Sequence, residues 1–317
     1  MTLLLIMEAL SSGRIKKEDM VTVSPFAASM GGSQVFLEEG EQMSVHDLLK
    51  CIAVSSANDA AVAMAEHLAG SEASFVDKMN TRAKELGMAD THFSNCTGLP
   101  VAEHYTTAHD IALMSRELIL NHPDIQSYAT IWMDSIRNGA FGLSNTNRLI
   151  RFYPGATGLK TGFTDSALYC LSATAERDGM ELIAAIMKSP TSDDRFQAAR
   201  TLLDHGFANY SLTTVHPNQA LPPVDVLLGT AQQVQPRLSR DCRLLLPRDG
   251  SAQVRTELSL ADDVEAPVEE GQQLGQMTVL VNGEVRDTVP IVATNSVERL
   301  SLPGIFSQLL RRMLMAD

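Results

Sequence analysis

The sequence predicts an α+β protein in which a main domain is followed by a small all-β domain and a terminal amphipathic helix. Three observations predict this class. Apolar helical segments, most of them preceded by a capping residue, follow one another from residue 1 to about residue 121. Two strand-like runs, ALYCLSATA (167–175) and MELIAAIM (180–187), flank a glycine-containing turn, which indicates antiparallel strands. After Tyr210 the composition changes to short apolar strands separated by turns.

The first segment, residues 1–12, is apolar almost all round and has no capping residue ahead of it. A helix that is apolar on every side is usually buried, so we expect a core helix whose first turn lies before residue 1. A signal peptide explains the segment poorly, because it has no basic start and no small-residue cleavage site after it. On this interpretation the chain is truncated at its start.

Helix caps place the elements that follow. Ser44, with Asp47 three residues later, predicts a helix from Val45 to about Ala53, which breaks at residues 55–58. Three more helices are expected: one ending at Gly70, one from about Glu72 to Leu86 before Gly87, and one from Ala108 to about Asn121 between the cap Thr107 and Pro123. Beyond the strands, Ser192 is expected to cap a helix that ends near Tyr210 and has Phe196, Ala199, Leu202 and Leu203 on one face.

The stretch Arg151–Thr164, RFYPGATGLKTGFT, leads into the strands, and we expect Lys160 on the first, edge strand of a three-stranded meander. Lysine supplies a charge, Thr161 a hydroxyl donor, and Gly162 no Cβ, so that a substrate can lie against the backbone. These residues predict an anion site. The alternative for the tripeptide alone is a solvated lysine beside a turn glycine, since tripeptides recur by chance.

The end of the chain reads as a separate module. Prolines at 217, 222 and 223 indicate a linker, and Asn282-Gly283 between alternating runs is typical of a two-residue hairpin. We therefore predict a main domain of residues 1–212, a β-rich domain of residues 213–293 and a helix of residues 294–317. The apolar face of that helix, with Arg311 and Arg312 on another face, suits a membrane surface. The alternative is a helix packed on its own domain or on a partner.

The amino-acid composition argues against several kinds of partner and ligand. The net charge of −13 argues against nucleic acid as a partner, and no apolar run is long enough to span a bilayer. The four cysteines show no CxxC pairing, so buried free thiols are expected. His104 and His109 flank a helix cap without a suitably spaced third ligand, so neither a metal nor a cofactor is expected.

The order of two short motifs along the chain is informative. Ser56-x-Asn58 precedes Lys160-Thr161-Gly162 by about a hundred residues, and together they resemble the second and third motifs of penicillin-binding proteins and serine β-lactamases. The phrases SSANDAA, NCTGLP, HYTTAHD, NTNRLI and FYPGATGLKTGFT, in this order, resemble the low-molecular-weight D-alanyl-D-alanine carboxypeptidases. The resemblance implies a penicillin-binding-protein-like domain, with its antiparallel sheet flanked by helices, at the outer face of the cytoplasmic membrane or cell wall.

The first motif of that family, Ser-x-x-Lys, is missing, because no lysine here has a serine three positions before it. In the family this motif opens the buried apolar helix that a phrase like MTLL continues. The resemblance therefore implies that the nucleophilic serine and its lysine lie just ahead of Met1. The chain as given is expected to be inactive without them.

The resemblance also implies roles for the residues present. Ser56 relays a proton to the departing D-alanine, Asn58 holds the substrate amide, and Lys160 completes the catalytic set. Lys160 and Thr161 bind the terminal carboxylate. Gly162 lets the acyl chain pair with the strand, and the backbone N–H of Phe163 helps to form the oxyanion hole. Asn147 and Arg148 are further candidate substrate-binding residues; Thr146, between Asn145 and Asn147, stands where some relatives have arginine.

The expected function is removal of the terminal D-alanine from peptidoglycan stem peptides through an acyl-enzyme, with β-lactam antibiotics as further ligands. Two alternatives stay open. A β-lactamase needs a carboxylate for deacylation, and Glu117 and Asn121 mimic the spacing of one family, although they read better as a helix end. A non-catalytic cell-wall binding or scaffold protein would keep the carboxylate pocket and start at Met1.

Overall fold

The computed structural model of the protein describes residues 1–306 and divides into two compact units, Met1–Phe207 and a second that begins at Ala208. The first unit combines helices with short hairpins and one longer sheet. Its helices are α1 (Thr2–Ser11), α2 (Pro25–Ala28), α3 (Val45–Ser55), α4 (Asn58–Ala69), α5 (Glu72–Glu85), α6 (Ala108–Asn121), α7 (Gln126–Ala129), α8 (Leu149–Phe152) and α9 (Ser192–Asn209). Its strands are β1 (Met20–Thr22), β2 (Gln42–Ser44), β3 (Met133–Ile136), β4 (Phe141–Ser144), β5 (Ala156–Thr164), β6 (Leu168–Arg177) and β7 (Met180–Ser189).

The core of this unit forms around α1, α3 and α4. Five consecutive side chains of α1, residues 3–7, are buried, as are residues 57–65 across the start of α4. A helix without a polar face removes its apolar surface from water only when it is buried on all sides. The prediction of a core helix over residues 1–12 is therefore confirmed.

Capping residues explain where the helices begin. The Ser44 hydroxyl accepts the backbone N–H of Asp47, and the Thr107 hydroxyl accepts that of Asp110, as predicted for α3 and α6. The prediction for α9 was wrong by one residue, because the hydroxyl of Thr191 accepts the N–H of Asp194 and Ser192 is already helical. Leu202 was also misplaced, since it is 52% exposed.

The antiparallel meander β5–β6–β7 holds the lysine motif on its edge strand, as predicted. Asp178 and Gly179 form the two-residue turn between β6 and β7, both with positive φ (53° and 75°). Gly155 has a φ of 83°, and a Cβ there would meet the Glu176 carbonyl, so only glycine fits at the entry to β5. In the register of β5 with β6, Lys160 lies opposite Ser172.

The second unit is all β. Its strands are β8 (Tyr210–Val215), β9 (Val224–Leu227), β10 (Gln233–Val234), β11 (Pro236–Leu238), β12 (Cys242–Pro247), β13 (Val254–Leu260), β14 (Asp263–Glu265), β15 (Gln273–Val281) and β16 (Glu284–Ala293). They form sheets in the orders β12-β8, β10-β9-β14 and β11-β16-β15-β13. Asn282-Gly283 closes the β15–β16 hairpin as predicted. The expected boundary at residue 212 falls inside β8, and the structure separates the units after Phe207 because β8 pairs with β12.

The predicted terminal helix, residues 294–317, lies largely outside the described residues. Within them, Val297 bridges to Val268 and Arg299 bridges to Gly229, so residues up to Arg299 belong to the β-rich unit. Across residues 1–306, no helix combines the length and the apolar character needed to cross a bilayer.

Candidate active site

A cavity of about 740 Å³ lies in the first unit, between the break that separates α3 from α4 and the edge strand β5. Its polar side is lined by the two predicted motifs, including Ser56, Asn58 and Lys160. Its apolar side is lined by the start of α1 and by residues of α5 and α6, such as Met79 and Met114. The fold thus brings residues a hundred positions apart in the sequence to one cavity.

Ser56 and Lys160 are in direct contact. The Lys160 ammonium donates a hydrogen bond to Ser56 Oγ at 2.7 Å and a second to the carbonyl of Thr161 at 2.9 Å. Ser56 is the residue directly after α3, and its backbone has φ 60° and ψ 38°. This left-handed conformation is uncommon for residues other than glycine and asparagine. A strained backbone conformation persists only where the surrounding structure holds it in place. In this conformation the Ser56 hydroxyl faces Lys160 of β5.

Asn58 is oriented by backbone groups of a neighbouring loop. Its side-chain nitrogen Nδ2 donates to the carbonyl of Gly31 at 2.8 Å, and its backbone N–H donates to the carbonyl of Ser33 at 2.8 Å. Because a carbonyl can only accept, this bond settles which end of the carboxamide faces Gly31. The Oδ1 oxygen is then the end left for a ligand, and it can accept an amide N–H.

The surroundings of the half-buried Lys160 ammonium determine its protonation. Burial, and then the positive charge of Arg195, lowers the pKa of Lys160 from 10.5 to about 8. At neutral pH the lysine is therefore still mainly cationic, but it is held as a charge that lacks a carboxylate partner among the contacts above. Such a site attracts an anion, because an anion compensates the cost of desolvating the ammonium.

Arg195 was missed by the sequence interpretation. It lies on the buried face of α9, is 7% exposed, and donates from Nη1 to the carbonyls of Gly162 (3.1 Å) and Cys170 (3.2 Å). Arg195 therefore positions the Gly162 end of β5 and adds positive charge behind the cavity. The available signal was its place on the predicted apolar face, beside Phe196 and one turn before Ala199.

Thr161 and Gly162 continue the polar wall. The Thr161 hydroxyl lies 2.6 Å from that of Thr146, which is exposed. A Cβ at Gly162 would come only within 3.8 Å of the Cys170 Cβ, an ordinary contact, and the residue has no positive φ. Neither packing nor backbone conformation requires glycine here, so its bare backbone is available to a ligand.

Three other predicted residues lie differently. The Phe163 side chain is 53% exposed and stacks on Tyr169, with ring centroids 4.5 Å apart, so only its backbone adjoins the motif. Asn147 is 1% exposed and binds the Gly158 carbonyl and the Leu149 N–H. Arg148 pairs with Asp193 at 3.0 Å. Of the described residues that line the cavity, none is Asn147 or Arg148, and Asn147 instead positions β5.

The residues considered for other chemistries have different partners. Glu117 Oε1 accepts from Arg82 at 2.6 Å and lies at the end of α6. Glu8, Glu117 and His122 converge within 4.8 Å, but Arg82 already pairs with both carboxylates. His104 Nδ1 accepts the backbone N–H of Ser94, while His109 is exposed. Ion pairing and loop hydrogen bonds therefore account for these groups.

The site as a whole offers a cation, hydroxyls, a carboxamide acceptor and an open strand edge along one wall of the cavity. It suits an extended peptide whose terminal carboxylate binds Lys160 and whose amide binds Asn58. The fold is of the penicillin-binding-protein class, and two family models match the chain in agreement with this. One, D-alanyl-D-alanine carboxypeptidase, matches residues 1–191; the other, penicillin-binding protein 5 C-terminal domain, matches residues 210–299.

Relatives and solved structures support the same assignment. The D-alanyl-D-alanine carboxypeptidase DacF of Bacillus subtilis is 42% identical over 304 residues, covering 94% of this chain and 78% of the relative. The crystal structure of a peptidoglycan synthesis regulatory factor (PBP3) from Streptococcus pneumoniae is similar with a TM-score of 0.77 and 26% identity, covering 94% of this chain and 90% of that one. Penicillin-binding protein D2 of Listeria monocytogenes, solved with ampicillin bound, matches with a TM-score of 0.59 and 32% identity over 65% of this chain and 84% of that one.

The chain belongs to the D-alanyl-D-alanine carboxypeptidase family. Its α+β architecture with a β-rich second unit is that of the penicillin-binding-protein fold. This family is related to the cell wall and acts outside the cytoplasm.

Proposed function

We propose that this protein removes the terminal D-alanine from peptidoglycan stem peptides through a serine acyl-enzyme. The observation that carries the proposal is the contact between the Lys160 ammonium and Ser56 Oγ, 2.7 Å apart at the edge of β5. It joins a charge suited to a terminal carboxylate with a hydroxyl suited to proton transfer. The open edge of β5 is suited to pairing with an extended peptide.

Each polar group then has a role in acyl transfer. Lys160 and Thr161 hold the substrate carboxylate, and Asn58 Oδ1 accepts the N–H of the peptide bond ahead of the scissile one. Ser56 passes a proton to the leaving D-alanine amine, since its hydroxyl can accept and donate at once. Gly162 leaves room for the acyl chain, and the Phe163 N–H helps to stabilise the oxyanion.

The nucleophile is proposed to come from a Ser-x-x-Lys segment ahead of Met1. Acyl transfer needs a serine and a base, and of the described residues at the cavity the serines are Ser56, Ser115, Ser166 and Ser172, none followed by the required lysine. Met1, Thr2 and Leu3 line the same cavity as Ser56, so residues joined to Met1 would lie beside the site. With the segment absent, the chain is proposed to bind without acylating.

Binding of β-lactams is part of the same proposal. A β-lactam presents a carboxylate next to a strained amide, so the groups that hold the peptide terminus also suit the antibiotic. The ampicillin-bound relative from Listeria monocytogenes supports this extension. Glu117 is held by Arg82 at the end of α6, and this pairing disfavours the alternative in which it drives rapid deacylation as in a β-lactamase.

The remaining proposals concern placement. We propose that the main and β-rich domains divide near Phe207, that the segment after Arg299 docks on the outer face of the cytoplasmic membrane, and that the protein has no nucleic-acid partner. Deleting residues 300–317 is expected to release the protein from lipid vesicles in a flotation assay. Unchanged flotation of the deleted form contradicts the docking.

The enzymatic proposal is tested by reading the coding DNA upstream of Met1 and by intact-mass analysis with benzylpenicillin. The proposal expects an in-frame Ser-x-x-Lys, and a stoichiometric covalent adduct on the protein that contains it. The Ser-x-x-Lys serine changed to alanine is the matched control and should form no adduct. A stop codon directly upstream, together with no adduct on the natural product, supports the scaffold alternative instead.

A further inference from the structure

A carboxylate with no role in the proposed chemistry is completely buried next to the site. Asp59 follows Asn58 at the start of α4 and is 0% exposed. Its Oδ2 accepts the backbone N–H groups of Val35 (3.1 Å) and Leu37 (3.0 Å), and its Oδ1 accepts that of Ala60 (2.9 Å). Leaving a buried carboxylate without hydrogen bonds costs free energy, so the structure favours keeping these N–H groups on Asp59.

The two donors of the loop converge because of the residue between them. Phe36 has a φ of 56° and is 63% exposed, an uncommon conformation for a bulky side chain. A left-handed residue between two N–H groups lets both groups point at one anion, as in a backbone nest. The loop conformation thus depends on the Asp59 carboxylate.

Arg137 binds the opposite side of this loop. Its guanidinium donates to the carbonyls of Val35 and Phe36, each at 2.9 Å, and pairs with Glu41. The N–H groups therefore point inward to Asp59 and the carbonyls outward to Arg137. This arrangement leaves the loop, residues 31–37, little freedom to turn.

The other end of the loop holds Asn58. Gly31 and Ser33 supply the carbonyls that accept the Asn58 side-chain and backbone N–H groups. Between them, Gly32 has a φ of 80°, and a Cβ there would lie 2.9 Å from Asn58 Nδ2. The position of this segment therefore decides where Asn58 Oδ1 points.

We propose that Asp59 is a positioning residue: its carboxylate fixes the loop of residues 31–37, and the loop orients the Asn58 carboxamide toward the substrate amide. The inference rests on the proposed function, because it assigns Asn58 the substrate contact. Asp59 itself does not touch the substrate. Its removal is expected to loosen the carboxamide while the fold of the first unit remains.

The test uses Asp59→Asn in the full-length protein. Asparagine has nearly the same volume as aspartate, but it replaces one acceptor oxygen with an NH₂ group that can only donate. One of the hydrogen bonds from the backbone N–H groups around position 59 is therefore lost. We expect kcat/KM for D-alanine release and the second-order rate of penicillin acylation to fall roughly tenfold to a hundredfold, as for a small displacement of a binding group. Amide hydrogen exchange of residues 31–37 should accelerate, while that of α9 stays unchanged.

Two further variants separate positioning from general destabilisation. Asp110→Asn is the matched control, because Asp110 is also buried and also accepts the backbone N–H of a loop residue, Asp90, but lies outside the Asn58 network. It should leave both rates within about twofold. Gly32→Ala disturbs Asn58 without touching the buried carboxylate, and it should reproduce the kinetic loss even if Asp59→Asn fails to fold.

A double variant tests whether Asp59 acts through Asn58. In an Asn58→Ala background, adding Asp59→Asn should cause no further fall in the acylation rate, because the group that Asp59 orients is gone. Equal losses in both backgrounds overturn the inference, as do wild-type rates for Asp59→Asn or Gly32→Ala. A wild-type protein that neither releases D-alanine nor acylates overturns the proposed function instead, and the exchange rates of residues 31–37 then still decide whether Asp59 fixes the loop.

Discussion

The two walls of the cavity are built by different means. The β5 wall presents Lys160, Thr161 and Gly162 from a strand that pairs with β6 along its length. The opposite wall presents Ser56 and Asn58 from a break between helices, with Ser56 in a left-handed conformation and Asn58 tied to a loop. The strand wall carries the half-buried charge of Lys160, and the helix wall carries backbone strain and polar contacts. Substitutions in the two walls should therefore change the stability and the activity of the protein in different ways.

The largest expected effect concerns the charge on the strand wall. Lys160→Met should lower kcat/KM for D-alanine release by about a thousandfold, comparable with loss of a preorganised donor that faces developing charge. The variant should also be more stable, because the pKa of Lys160 is lowered to about 8 by burial and by Arg195.

The sign and pH window of this stabilisation follow from proton binding. Between about pH 8 and 10.5 the unfolded wild type binds more protons than the folded form, so wild-type stability rises with pH there. The advantage of Lys160→Met is thus full below pH 8 and shrinks toward 10.5, which thermal unfolding at several pH values measures. A variant less stable than wild type at pH 7 contradicts this description of the strand wall.

The next effect separates catalysis from strain on the helix wall. Ser56→Ala and Ser56→Gly both remove the relay hydroxyl and should lower kcat by roughly a hundredfold or more. Only glycine relieves the left-handed backbone, so Ser56→Gly should be about 1 kcal/mol more stable than Ser56→Ala. Urea unfolding of the pair measures this difference. Equal stabilities would show that position 56 stores no strain.

A smaller effect is expected at Gly162. A Cβ there meets only an ordinary contact with Cys170, so Gly162→Ala should change the unfolding free energy by less than about 0.5 kcal/mol. It should still slow peptide hydrolysis by roughly tenfold, because the methyl group occupies the space proposed for the acyl chain. Gly158→Ala is the contrasting control, since its Cβ would lie 3.0 Å from Thr174 Oγ1 and should reduce stability. Unchanged hydrolysis by Gly162→Ala would place the acyl chain elsewhere.

The smallest effect is a shift in a pH profile. The cationic form of Lys160 binds the carboxylate, so kcat/KM should fall as the pH rises through about 8, the pKa of the free enzyme. The charge of Arg195 helps to lower that pKa, so Arg195→Met should move the fall to higher pH. A fall that stays at the same pH would mean that another group controls it.

The same contrast explains which features the sequence could predict. The strand wall follows from local patterns: the turn glycines, the alternating runs and the position of Lys160 were all readable from neighbouring residues. Ser56 and Asn58 could be placed at a helix break, but their geometry depends on Gly31, Ser33 and Lys160, which are distant in sequence. Local periodicity carries no information about such contacts.

The side-chain contacts of other residues near the motifs were equally hidden from local patterns. Asn147 and Arg148 adjoin the site in sequence, yet their side chains turn to Gly158 and Asp193. Arg195 lies 35 positions beyond Lys160 and reaches the back of the motif only through the packing of α9 on the sheet. A charged residue on a predicted buried face was the one local sign of its role.

The most direct test of the account compares D-alanine release from a pentapeptide ending in D-Ala-D-Ala by the full-length wild-type protein and by Lys160→Met. The account predicts release by the wild type, a loss of about a thousandfold in kcat/KM for the variant, and a folded variant at least as stable as the wild type. Equal release by the two proteins would contradict the central claim that the Lys160–Ser56 contact is the core of the active site.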